Sequence, residues 1–361
     1  MTLLQARTCV RTDQAQAMVE TIVEHMREHD LAPQREGARW TVAHDLGLAS
    51  LWAQDGSIHA SASARGIEAL QDIKLMLAHL ILEATQSDDA ALVWDGDGSA
   101  LQRPPAFRVL RVLAVQSLTP HLRRVRFAGN DLARYAQDEN IHCKLIFPQP
   151  GITVPEWPTL SPSGMPRFPQ GDKRLDVRTY TMRAIDGAAG WLDVDFVLHA
   201  DAGPGSAWAA QASVGQEIGM SGPGGRTAAP ADWMLLAGDD TALPAMLRIA
   251  AALPATTRGQ VFAEVQGPQD QLPVVAPPGL QWHWLHRGAA APGTTSLLLD
   301  ALRGVQWPAP AGTRFVWAGA EFEAAQAIRH WARETRGLEK SEQLIVSYWR
   351  RGMAEHEFKK A

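Results

Sequence analysis

Apolar residues change their spacing along this chain, and each change marks a different kind of element. From Asp13 to about Asp30, Ala15, Met18, Val19, Ile22, Val23 and Met26 return at steps of three and four, which is one face of a helix, with Asp13 placed to cap it. Short apolar runs at Trp40 to Ala43, Ala49 to Ala53 and Ile58 to Ala62, divided by Asp45, Gly47, Asp55 and Gly56, predict a meander of strands. Ile67, Leu70, Ile73, Leu77, Leu80 and Ile81 then supply the stripe of a second helix. The pattern predicts a small α+β domain over residues 1–86, followed by a linker over 87–106 in which Asp, Gly and Ser cluster.

Between residues 107 and 230 the runs shorten to strand length: Phe107 to Leu118, Leu122 to Ala128, Ile141 to Phe147, Val177 to Ala184, Trp191 to Leu198 and Gly215 to Met220. Many short strands with Pro- and Gly-rich turns predict an antiparallel β-barrel. Pro148 to Arg174 carries no periodicity and reads as a long surface loop of the kind that borders a binding site. Over residues 231–361 strand-like runs at Trp233, Gly259, Leu280, Arg314 and Gln343 alternate with helical stretches from Leu243, Thr295 and Phe322. That alternation predicts an α/β domain with a doubly wound, mostly parallel sheet.

Composition narrows the classes. The 361 residues are 46% apolar and 20% charged, which suits several globular cores, and the formal net charge of −5 argues against a nucleic-acid binder. Only Cys9 and Cys143 occur, so neither a disulfide framework nor an iron–sulfur cluster is to be drawn from this chain. The first residues lack a signal-peptide pattern, and no apolar run is long enough for a membrane span; the expectation is a cytoplasmic protein. His25 and His29 share a helix face, but no carboxylate or cysteine cluster completes a metal site.

The strongest chemical signal is Arg178-Thr179-Tyr180-Thr181-Met182-Arg183 on a barrel strand, where alternation separates Arg178, Tyr180 and Met182 from Thr179, Thr181 and Arg183. A guanidinium fork suits a pyrophosphate, an aromatic ring suits a flavin or its ribityl chain, and a short hydroxyl suits the flavin N5 edge. Downstream, His199-Ala200-Asp201-Ala202-Gly203-Pro204-Gly205-Ser206-Ala207-Trp208 runs through a turn into a helix whose first N–H groups can meet phosphate. Ser221-Gly222-Pro223-Gly224-Gly225-Arg226 lets backbone approach a ligand closely. Gly238-Asp239-Asp240-Thr241 ends a strand before a helix, where a nucleotide phosphate or ribose binds in such sheets; its two carboxylates favour ribose hydroxyls over pyrophosphate.

In that order, and followed by Leu235 to Ala245 and Tyr348-Trp349-Arg350-Arg351-Gly352, these segments closely resemble the siderophore-interacting protein family of ferric-chelate reductases within the ferredoxin-reductase-like superfamily. The resemblance covers about residues 107 to 358. It implies FAD on the barrel, held by Arg178, Thr179, Tyr180, Thr181, Arg183, His199, Asp201, Gly205, Ser206 and Trp208, with Gly222, Gly224 and Gly225 alongside. It implies NADPH or NADH at Gly238, Asp239, Asp240 and Thr241. By position alone Arg287 is the candidate for a 2′-phosphate, and the sequence leaves open whether NADPH, NADH or a ferredoxin supplies the electrons. A ferric siderophore, being anionic, calls for positive charge at the flavin edge, for which Lys144, Arg226, Arg350 and Arg351 stand. The implied reaction releases iron as Fe(II) and needs no side chain as acid, base or nucleophile. A flavin reductase with another acceptor, and a non-catalytic siderophore carrier, are the competing readings. The residues before the barrel resemble a small domain of uncharacterised role that is sometimes fused ahead of such reductases.

Overall fold

The computed structural model describes residues 3–29, 31–44, 47–199, 203–307 and 312–355. Two compact units divide the chain: Met1–Phe107 with Gly151–Leu175, and Arg108–Pro150 with Asp176–Ala361.

The first unit opens with β1 (Leu4–Arg11) and α1 (Ala15–Glu28), continues through β2 (Gln34–Glu36), β3 (Arg39–His44), β4 (Gly47–Gln54) and β5 (Ser57–Ala64), and adds α2 (Ile67–Thr85) and β6 (Asp95–Gly96). Its antiparallel sheet runs β2-β3-β4-β5-β1-β6. Val19, Ile22, Val23 and Met26 of α1 and Leu70, Ile73, Leu77 and Ile81 of α2 pack on Ala6, Val10, Leu51, Ala60 and Ala62. The small residues of β5 let both helices lie close to the sheet. Two expectations need correcting here. The cap of α1 falls at Gln14 rather than Asp13, and the presumed linker is part of the fold, since β6 pairs with β1 and Trp94 is buried.

The barrel begins with β7 (Arg108–Thr119), β8 (Leu122–Gly129) and β9 (His142–Pro148). The chain then leaves it, and residues 151–175 join the first unit with a hairpin of β10 (Thr159–Leu160) and β11 (Pro166–Arg167). This stretch is therefore no structureless surface loop. Trp94 Nε1 donates to the Ser163 carbonyl at 2.9 Å and Gln71 Nε2 to the Gly164 carbonyl at 2.8 Å. The Asp89 carboxylate accepts from the hydroxyls of Ser161 and Ser163 and from the Arg167 guanidinium. Hydrogen bonds to short polar side chains organise it, so no hydrophobic period announces it.

Back in the second unit, β12 (Leu175–Asp186), β13 (Trp191–Val197), α3 (Pro204–Gln211) and β14 (Glu217–Gly224) complete a closed barrel in the order β12-β13-β8-β7-β14-β9. Leu110, Phe127, Leu145, Phe147, Met182, Val194, Phe196, Ile218 and Met220 fill its interior.

The remaining elements are β15 (Trp233–Gly238), α4 (Leu243–Ala252), β16 (Arg258–Val265), β17 (Gly279–His286), α5 (Leu297–Arg303), β18 (Arg314–Glu321), α6 (Phe322–His330) and β19 (Gln343–Trp349). The five strands are all parallel, in the order β17-β16-β15-β18-β19. Met234 and Leu236 of β15 pack toward α4, while Leu235 and Ala237 pack toward α5 and α6. A strand buried on both faces reads as an unbroken apolar run, as Trp233 to Ala237 does. The chain turns back between β15 and β18, so their carboxyl ends flank the switch point where such sheets bind ligands.

Candidate functional site

The barrel strand β12 makes ladder pairs with β13 only from Met182 to Asp186. Arg178 to Thr181 therefore lie ahead of that ladder. Thr179 is exposed, Arg178 and Tyr180 half-buried and Thr181 buried. Among the described residues the Arg178 guanidinium makes one hydrogen bond, from Nη1 to the Val177 carbonyl at 2.8 Å. A half-buried guanidinium with most of its donors uncommitted fits a phosphate group.

Tyr180 closes an aromatic cluster, its ring centroid 4.5 Å from Phe196 and 6.2 Å from Phe147, with Trp208 of α3 tilted against Phe147 at 5.5 Å. Burial pushes the Tyr180 hydroxyl above its ordinary range, so it acts as a neutral phenol. The helix α3 reaches this cluster because position 205 is glycine: a Cβ there would run into the Tyr180 Oη, Cζ and Cε2. Its first-turn N–H groups, those of Gly205 and Ser206, lack intrahelical acceptors by helix geometry and carry positive partial charge. His199 is exposed beside this turn, and Asp201 lies outside the described residues. These features fit the phosphates of a dinucleotide.

Across from β12, His142 Nε2 and the Tyr348 hydroxyl share a hydrogen bond of 2.7 Å, and burial followed by the neighbouring Asp239 pushes the Tyr348 acid up. Gly225 adopts φ +73°, and a Cβ there would meet His142 Nδ1 at 2.8 Å, so this glycine turn is fitted to the imidazole. Gly222 also has positive φ, and at Gly224 the space is open. Arg183 turns to the other side of the strand; among the described residues its buried Nε has no hydrogen-bond partner, and burial first, then the nearby Arg124 and Arg248, lower its pKa against the pull of Asp195. Arg124 and Arg126 clamp Asp195 and Asp193 bidentately at 2.7–2.8 Å on the neighbouring strand pair.

At the switch point the expectation for the two aspartates changes. Asp239 Oδ1 accepts from Thr241 N–H at 3.0 Å and Thr241 Oγ1 at 2.5 Å, and Oδ2 accepts from Glu321 N–H at 3.0 Å and Trp349 Nε1 at 2.9 Å. Four internal donors occupy it, and it ties together the ends of β15, β18 and β19. Asp240 pairs with Arg287 Nη1 at 2.5 Å; burial pushes its acid up to about 7 although Arg287 opposes that. The Asp239 carboxylate is thus committed to donors within the chain, Asp240 is engaged through Oδ2, and Arg287 is itself buried. Gly238 serves packing: a Cβ there would meet Ala242 Cβ at 2.6 Å and the Gly319 carbonyl oxygen at 2.8 Å.

Of the four cations assigned to capture, Lys144 lies on β9 beside β12, its Nζ 2.5 Å from Thr179 Oγ1. Arg226 is exposed after the glycine turn. Arg350 lies over the Phe322 ring, 4.4 Å from its centroid, and the Arg351 N–H donates to Glu321 Oε1 at 3.1 Å. Sequence reasoning missed two residues. Arg248, the one charge in the apolar helix α4, donates to the Met182 carbonyl at 2.6 Å and the Gln137 carbonyl at 2.5 Å, joining the α/β domain to the barrel. Its isolation among apolar neighbours was the available signal. Glu355 reaches Lys144 and Thr179, and nothing in its sequence surroundings marks it.

Among the described residues no helix is long and apolar enough to cross a membrane, and no group of His, Cys, Asp and Glu could hold a metal.

Two family profiles match the chain: a siderophore-interacting FAD-binding domain over residues 111–227 and the siderophore-interacting protein profile over residues 231–352. An uncharacterized protein of Mycobacterium tuberculosis is 35% identical over 69% of this chain and 92% of its own length. The ferric vibriobactin reductase ViuB of Vibrio cholerae is 31% identical over 70% of this chain and 92% of its own. Among solved structures, the siderophore-interacting protein SipS from Aeromonas hydrophila is 30% identical with a TM-score of 0.61, covering 72% of this chain and 96% of that one. A siderophore utilization protein from T. fusca is 37% identical with a TM-score of 0.59, covering 69% and 94%.

Proposed function

The chain belongs to the siderophore-interacting protein family, and from that premise we propose that it is an NAD(P)H-dependent, FAD-containing reductase of ferric siderophores that releases iron as Fe(II) in the cytoplasm. The observation that carries the reading is the Arg178 to Thr181 stretch of β12, outside the β13 ladder and facing the glycine-gated start of α3, within the part of the chain that matches an FAD-binding domain. The similarity to a protein named as a ferric vibriobactin reductase supports the substrate class.

Bound FAD supplies the conversion of a two-electron nicotinamide donor into single electrons for iron. The protein's own work is positional. Arg178 and the first turn of α3 hold phosphate oxygens, Tyr180 and Trp208 wall the barrel side, and Thr181 presents a buried hydroxyl. Asp239 fixes the three strand ends that the nicotinamide nucleotide would meet. Lys144 draws anionic chelates toward the open side of β12. No side chain is called on as acid, base or nucleophile, and hard oxygen donors hold Fe(II) less strongly than Fe(III).

The test is anaerobic: the purified yellow protein is bleached with NADPH or NADH, and a ferric siderophore is then added with a ferrous-selective chelator present. Recovery of the flavin spectrum with one Fe(II) trapped per electron supports the proposal. Preference for quinone or free flavin would make it a general diaphorase, and a colourless protein that takes up no FAD would make it a carrier.

A further inference from the structure

Past β19 the chain crosses the carboxyl edge of the sheet under tight control. Trp349 is held by Asp239, Arg350 forms an antiparallel bridge with Met353, and the Arg351 N–H is held by Glu321. This short run delivers Glu355 from the α/β domain to the barrel. There Glu355 Oε2 accepts from the Thr179 N–H at 2.9 Å, while Oε1 accepts from Thr179 Oγ1 at 2.6 Å and Lys144 Nζ at 3.1 Å. The Glu355 side chain is 14% exposed, against 44% for Lys144.

A backbone N–H, a hydroxyl and an ammonium thus converge on one oxyanion, and that oxyanion belongs to the chain itself. The same three donors suit the oxygens of a catecholate, hydroxamate or carboxylate chelate. While Glu355 is seated, Lys144 is neutralised and a negative charge stands beside it, so an approaching anion meets competition and repulsion together. A neutral chelate is spared the repulsion. Because Glu355 is tethered, it competes at a high effective concentration whatever the concentration of the protein.

We propose that Glu355 is the charge-selectivity residue of the acceptor site: a built-in carboxylate on Lys144 and Thr179 that an anionic ferric chelate has to displace and that handicaps anionic against neutral chelates. This rests on the reductase reading above for what the acceptor is, whereas the anion site itself stands on the Lys144–Thr179–Glu355 geometry.

The experiment uses full-length, FAD-loaded protein and its Glu355→Gln variant, with flavin content checked by absorbance. Two redox-inert probes, the trianionic gallium(III) tris-catecholate and the neutral gallium(III) tris-hydroxamate, are titrated by tryptophan fluorescence. The matching iron(III) complexes are assayed as electron acceptors. The Kd of the trianion divided by that of the neutral complex is expected to fall about tenfold in Glu355→Gln at low ionic strength. The gain should shrink toward unity in molar salt, where charges are screened within about 3 Å. Lys144→Ala added to Glu355→Gln should abolish it, and Glu355→Asp serves as the conservative control. An unchanged ratio, equal shifts for both probes, or no binding of either probe to either protein overturns the inference. Failure of the wild type to reduce both iron complexes, with the gallium ratio behaving as stated, overturns the reductase reading alone.

Discussion

Gly205 at the start of α3 lies against the Tyr180 hydroxyl so closely that any side chain at 205 would displace the tyrosine ring. The helix start and the aromatic wall of the expected flavin site are thereby locked to one geometry. Gly205→Ala should cost about 1–3 kcal/mol through overpacking and weaken FAD retention at least tenfold. Thermal unfolding and flavin absorbance after gel filtration read both. Full flavin retention with an unchanged Tm would show that the contact has slack.

Arg178 is half-buried, and among the described residues its guanidinium has the Val177 carbonyl as its one acceptor. Arg178→Lys keeps the charge but loses the planar fork, so FAD affinity should drop about tenfold, and Arg178→Ala further, by about 1.5–3 kcal/mol, the range for hydrogen bonds to charged groups. Apo stability should stay close to wild type in both. Equal FAD affinity in the three proteins, measured by calorimetry, would remove Arg178 from the site.

Asp240 is buried with its acid pushed up to about 7, above its value in an unfolded chain, so it favours the fold at low pH and that contribution is lost as pH rises through about 7. Arg287 offsets the loss by pairing with the carboxylate. Arg287→Met should therefore destabilise by about 3–5 kcal/mol at pH 8, the cost of a broken buried pair. At pH 5, where Asp240 is protonated, the penalty should be much smaller. Urea unfolding at the two pH values checks this, and an equal loss at both would show that the pair does not control the titration.

Asp89 behaves in the opposite sense. Burial would raise its acid, but the hydrogen bonds from Ser163, Arg167 and Ser161 together outweigh it and hold the acid below the usual range. Its contribution is present above the unfolded carboxylate value near pH 4 and is lost as pH falls further. Limited proteolysis within residues 151–175 should accelerate as pH drops below about 4, and at neutral pH in Asp89→Ala. Resistance of that stretch in Asp89→Ala would mean that Trp94 and Gln71 hold it unaided.

The parallel sheet is legible in the sequence because strands buried on both faces leave continuous apolar runs, and α1 and α2 because one-sided burial leaves a clear period. The positions of the barrel strands follow from turn residues between short runs. The excursion at 151–175 is not legible: Ser161, Ser163 and Gly164 are held by hydrogen bonds to Asp89 and Gln71, residues some seventy to ninety positions earlier in the chain. Site legibility divides the same way. The Arg178 to Thr181 stretch carries a recognisable set of functional groups, whereas the internal pairing of Asp239 and Asp240 depends on Glu321, Trp349 and Arg287, which only tertiary folding brings near. A lone glutamate near a charged terminus gives no warning that it meets Lys144.

Because the first unit borrows Gly151–Leu175 from the middle of the barrel sequence, it cannot be cut away or transplanted as a leading module. A truncation ahead of the barrel would strip Gln71 and Asp89 from the borrowed segment and leave Ser161, Ser163 and Arg167 without the acceptor they share. Any exchange of this unit between proteins has to move two separate stretches of gene at once, so the two parts are expected to be inherited together rather than shuffled.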